Sequence, residues 1–197
     1  MVYGVLNLIN FAHADVYMMG AFAAYYISGW LGLANRPGIG SLLIGLAAAI
    51  IVCSLLGLCI ERLAYRPLRK APKLNLLITA IGVSLLLQYS GQFIFGPDPK
   101  LFPPVIQDWV VLRVMDVDFH SIDLTIFAVG AMAMISLQYL VLKTKFGRAM
   151  RAVSHSPSLA SLMGIDIHRV ISITFVIGSA LAGVGSVLVG LKYPKID

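Results

Sequence analysis

The sequence predicts an all-α polytopic membrane protein, and three observations predict it. Of the 197 residues, 59% are hydrophobic and only 12% are charged, whereas an ordinary globular domain is about half apolar and roughly a quarter charged. The mean hydropathy is +0.88. The apolar residues also gather into runs close to the ~20 that a spanning helix needs. Too little polar material remains to cover a water-soluble globule, and residues 1–197 read as a single transmembrane domain of about five spans.

The elements follow in order. Met1 to Phe11 is apolar but too short to cross a bilayer, and it has neither a basic n-region nor a small-residue cleavage site, which argues against a signal peptide. It reads as the second half of a helix. The far end, Lys192 to Asp197, shows no anchor, so the chain reads as a fragment of a longer one. A polar break, Asn10-Phe11-Ala12-His13-Ala14-Asp15, precedes the first span, Val16 to Leu33. Asp15 stands where a capping acid would satisfy free N–H groups and the positive end of the helix dipole. The functional alternative is a broken helix in which Asn10, His13 and Asp15 form part of a gate, because irregular backbone at membrane depth usually lines a cavity.

The turn Asn35-Arg36-Pro37-Gly38 leads into the second span, Ile39 to Ile60, whose Gly45, Ala48, Ala49, Cys53 and Gly57 form a smooth strip. Cys53 and Cys59 lie six residues apart, about 9 Å along a helix axis, too far for a disulfide. Both read as buried small hydrophobes. The third span, Leu74 to Phe95, carries Thr79, Ser84, Gln88 and Gln92. Thr79, Ser84 and Gln88 near one face suit either a small polar solute or hydrogen bonds to neighbouring helices. The fourth, Ile122 to Leu142, carries Gln138; the fifth, Val170 to Leu191, carries Ser172, Thr174 and small residues at every fourth position, Gly178, Ala182, Ser186 and Gly190. Such strips report close packing, within one bundle or against another subunit equally well.

Charge gives the sidedness. Ten of the fifteen basic residues fall in the loops 61–73 and 143–169, while the segment Gly96 to Asp123 carries five aspartates against Lys100 and Arg113. Basic loops stay in the cytoplasm, so loops 61–73 and 143–169 are expected inside and loop 96–121 outside. The net charge of +6 is then a topology signal rather than a nucleic-acid footprint. No phosphate loop, zinc-protease motif or nucleophile elbow occurs, and the four histidines share no ligand spacing, so no enzyme chemistry, cofactor or metal is expected in this chain.

The loop 143–169 contains Ser156, a good cap, Pro157 at a first helical position and Gly164 at a residue just past a helix end. A short cytoplasmic helix is predicted there. Its Leu159, Leu162 and Met163 form an apolar ridge that either lies in the lipid interface or enters a groove on a soluble partner. The lack of aromatics favours the partner.

Several ordered strings carry a resemblance: Met1-Val2-Tyr3-Gly4, Ile9-Asn10-Phe11-Ala12-His13, Val16-Tyr17-Met18, Glu61-Arg62-Leu63-Ala64-Tyr65-Arg66-Pro67-Leu68-Arg69, Phe146-Gly147-Arg148-Ala149-Met150-Arg151-Ala152 and Leu162-Met163-Gly164-Ile165-Asp166. The chain resembles the permease subunits of branched-chain amino acid ABC transporters of the bacterial inner membrane. The resemblance implies a second permease subunit, separate ATP-binding-cassette ATPases and an extracytoplasmic substrate-binding protein as partners. It also implies that the segment with Pro157, Leu159, Ala160, Leu162, Met163 and Gly164 contacts the ATPases. Here Ala14 stands between His13 and Asp15 where the family usually has glycine, and His155-Ser156-Pro157 replaces an acidic start of the coupling loop. The spans do not choose between leucine, isoleucine and valine and the urea or short amides that relatives carry. A self-contained carrier or channel, or a membrane scaffold, are the readings from other classes.

Overall fold

The computed structural model describes residues 10–35, 37–69, 71–106, 108–114 and 117–196. All but the last two residues of the predicted N-terminal half-helix, and the string Met1 to Gly4, lie outside them. Seven α-helices make up the described chain: α1 Ala12–Trp30, α2 Ile39–Ile60, α3 Lys73–Phe95, α4 Ser121–Lys143, α5 Lys145–His155, α6 Pro157–Leu162 and α7 Ile167–Lys192. Four of these, α2 with its extension to Tyr65, α3, α4 and α7, are long and apolar enough to cross a bilayer. The protein is an all-α, multi-pass membrane protein.

The expected first span is not among those four. Its helix starts at Ala12 rather than Val16 and stops at Trp30, and His13, Asp15 and three tyrosines lower its apolar content. Tertiary packing holds it instead. Cys53 Sγ, midway along α2, donates to the Val16 carbonyl at 3.2 Å. Phe22 stacks on Phe95 of α3 with ring centroids 4.6 Å apart.

The small-residue strips pack against each other within this chain. A Cβ on Gly183 of α7 would stand 2.7 Å from the Ala49 carbonyl oxygen of α2, and one on Gly57 would stand 2.6 Å from the Ser179 Cβ. Gly20 of α1 enters the same junction, between Cys53 and Ser186. Close backbone approach of this kind replaces the hydrophobic effect, which offers no drive between helices in lipid. Cys53 is buried as expected, but Cys59 is exposed, because it lies off the face of α2 that carries Ala49, Cys53 and Gly57 inward.

Two apolar clusters fill the ends of the bundle. One joins Val16, Ile60, Tyr65, Leu76, Met150, Val153, Ala160 and Phe175; the other joins Phe22, Leu42, Leu46, Phe102, Val105 and Val187. At the second end the connecting segment is more ordered than a loop. Strand β1 (Lys100–Leu101) pairs antiparallel with β4 (Lys195–Ile196), and β2 (Val110–Val114) forms a hairpin with β3 (Val117–His120). The two basic loops share the opposite end, since Arg69 Nη1 lies 2.5 Å from His168 Nδ1. The described parts of the two basic loops therefore meet at one end of the bundle.

Candidate functional site: a mid-depth carboxylate and a surface ridge

Asp15 is one of two carboxylates buried in the bundle among the described residues. It lies in the first turn of α1 and is 4% exposed. It does not cap the helix: Phe11 is the cap residue, and no side chain bonds there. The carboxylate turns sideways to α3, accepting from Ser84 Oγ at 2.5 Å and from Gln88 Nε2 at 3.0 Å. Ser84 is the central residue of α3, so the carboxylate meets α3 near its middle. Sequence reasoning chose these three residues, and the fold brings them together because Ser84 and Gln88 are one turn apart on one face.

The other candidates of that group stay apart. Thr79 donates to the Asn75 carbonyl of its own helix at 2.8 Å, a local bond that takes up its one donor. His13 is exposed. Asn10 Oδ1 accepts from Tyr65 Oη at 2.9 Å, which ties the chain entering α1 to the end of α2.

The second carboxylate is Glu61, fully buried. The helix of α2 continues as a wide π-helical turn over Glu61–Tyr65, closed by Arg66 N donating to Glu61 O at 2.8 Å. Such turns re-aim side chains and recur at functional positions. This one presents Glu61 to the Arg69 guanidinium and to Ser172 Oγ of α7, the latter at 2.6 Å. Burial pushes the Arg69 guanidinium below its usual value, and the Glu61 charge opposes that shift. Sequence reasoning missed this network by counting Glu61 and Arg69 as loop charges. The signal present was a lone acid among five bases at the end of an apolar run.

The short helix predicted in the basic loop is α6. Ser156 Oγ accepts from Leu159 N, Pro157 stands in the first turn, and Gly164 has φ +78°. Gly164 N donates to Ser161 O and Ile165 N to Ala160 O, each at 3.0 Å, the two bonds of a Schellman motif. Ala160 is turned into the core and anchors the helix, while Leu159, Leu162 and Met163 are 59%, 85% and 79% exposed. Asp166 then caps α7, accepting from Arg169 N at 3.1 Å.

With this geometry in view, the relatives decide the family. The family described as "Branched-chain amino acid transport system / permease component" matches residues 1–197. The chain belongs to that family. It is 38% identical over 203 residues to the high-affinity branched-chain amino acid transport system permease protein BraD of Pseudomonas aeruginosa, covering 100% of this chain and 66% of the relative. The LivH permease protein of Escherichia coli K12 is 38% identical over 210 residues, covering 100% and 65%. A probable LivH of Methanocaldococcus jannaschii is 27% identical over 196 residues, covering 93% and 57%. The chain thus spans about two thirds of the length of the bacterial relatives. No solved structure matches it.

Proposed function

We propose that this chain is a membrane permease subunit of an ATP-binding-cassette importer that carries branched-chain amino acids across the bacterial inner membrane. The observation that carries the reading, beside family membership, is the ridge of α6. Three large apolar side chains stand exposed at the basic end of the bundle, on a helix capped at both ends and anchored by Ala160. An unpartnered ridge on so rigid a mount suits insertion into a groove of a soluble protein. In this reading the partner is the ATPase, loops 61–73 and 143–169 face the cytoplasm, and loop 96–121 meets the extracytoplasmic binding protein. The apolar middle of α4, none of it buried within this chain, faces lipid or the second permease, and Asp15, Ser84 and Gln88 lie on the solute path.

The test is uptake by the assembled importer in proteoliposomes. Leu162→Asp with Met163→Asp is expected to leave the permease folded but to uncouple ATP hydrolysis from uptake, lowering transport at least ~10-fold, as loss of a buried interface anchor does. Uptake at the wild-type rate would overturn the coupling role. Identification of the solute on the copurified binding protein decides substrate, and urea or an amide there would overturn the amino acid reading.

A further inference from the structure

The Asp15 cluster does not end at its hydrogen bonds. A cavity of about 380 Å³ opens beside it between α1 and α3, within the roughly 300–1,000 Å³ of small-molecule sites. The buried Asp15 and the exposed Gln88 line one end of it, Met18, Phe22 and Gly91 its walls, and Asp98, in the segment after α3, the other end. The slot runs from the mid-depth of the bundle toward the end that carries the acidic segment. A side chain at position 91 would intrude, since its Cβ would stand 3.1 Å from Met18 Cε.

The chemistry of the Asp15 end is asymmetric. A carboxylate can accept about four hydrogen bonds, and the described partners of Asp15 are one hydroxyl and one carboxamide, both neutral. Among the described residues no cation pairs with Asp15, and a buried carboxylate at this depth is costly unless a cation completes it. The walls above it are a thioether and an aromatic ring, and Gln92 adds a second carboxamide that can donate to an anionic group. A carboxylate below, an apolar wall beside and an amide donor above match an α-amino acid with an apolar side chain.

We propose that this slot is a solute site in which Asp15 binds the ammonium group of the transported amino acid, with Met18 and Phe22 against its side chain. The proposal rests on the permease reading above and names the residues that would select the substrate class. It is tested on the full importer in nanodiscs, without its binding protein, by direct binding of radiolabelled leucine. Leucine is expected to bind, and the hydroxy acid that replaces its ammonium by a hydroxyl is expected not to compete. Asp15→Asn, with assembly checked by copurification of the subunits, is expected to weaken binding roughly tenfold or more, the scale of a lost charge-assisted hydrogen bond, and Asp15→Glu to retain part of it. Should Asp15→Asn fail to assemble, Gly91→Leu fills the slot from the other helix and is expected to abolish binding. Unchanged binding in Asp15→Asn or Gly91→Leu, or equal competition by the hydroxy acid, overturns the site. Wild-type importer that takes up no amino acid even with its binding protein overturns the permease reading instead, so the two failures are distinguishable.

Discussion

The carboxylate of Glu61 is paired with the guanidinium of Arg69, eight residues further along the chain, with the glutamate side chain fully buried and the arginine 13% exposed. The pair joins the end of α2 to the start of α7, because Ser172 donates to the second carboxylate oxygen and His168 meets the same guanidinium. Breaking a buried pair leaves an uncompensated charge, which costs about 3 to 5 kcal/mol, while removing both partners is far milder. Arg69→Met is therefore expected to lower the detergent melting temperature strongly, and Arg69→Met with Glu61→Gln to recover most of the loss. Equal melting of the single and double variants would show that the pair is not the term that matters.

Gly147 marks a second tight point. Thr144 breaks the helix between α4 and α5, donating to Leu140 O at 2.5 Å and capping α5 by accepting from Gly147 N at 3.0 Å. A Cβ on Gly147 would run into the carbonyl oxygens of Val141 and Leu140, and backbone does not yield. Gly147→Ala is expected to destabilise by about 1 to 3 kcal/mol, as overpacking does. Gly130→Ala, where a Cβ meets open space, is expected to be neutral or stabilising by up to about 1 kcal/mol. Denaturant unfolding in mixed micelles ranks the two.

Gly164 closes α6 in a left-handed conformation, φ +78°, and a Cβ added there would have no atom within 4 Å. The cost of a side chain at this position is thus backbone strain alone, of order 1 to 2 kcal/mol. Gly164→Asn is expected to be better tolerated than Gly164→Val, since Asn enters this region readily. ATPase coupling measured in both variants should follow the same order.

Asp166 caps α7 from outside the membrane-spanning helix. The backbone N–H of Arg169 is the main influence holding its carboxyl below the usual 3.8, with His168 and Arg169 assisting. A carboxyl whose folded value is depressed adds stability that is present above its unfolded value and is lost as pH falls through the folded one. Wild type is expected to exceed Asp166→Ala in melting temperature at neutral pH, with the gap closing as pH drops from 3.8 downward. A gap that does not change with pH would mean that the cap acts without its charge.

Composition and pattern alone determined the class, four of the long helices, the α6 helix with its caps, and the separation of basic from acidic segments. These are local or cumulative properties: hydropathy over a run, capping chemistry at Ser156 and Gly164, and charge per loop. They need no knowledge of which helix meets which. The meaning of individual polar residues was decided only by tertiary structure. Asp15 looked like a helix cap because its neighbours in sequence are a polar break, yet it lies inside the first turn and faces Ser84, 69 residues away. Glu61 looked like a loop charge because Arg62 and Arg66 follow it, yet a π-helical turn carries it inside. A buried charge is tolerated only where specific donors converge on it, and those donors come from elements distant in sequence. That convergence is a property of packing, which hydropathy and spacing do not contain.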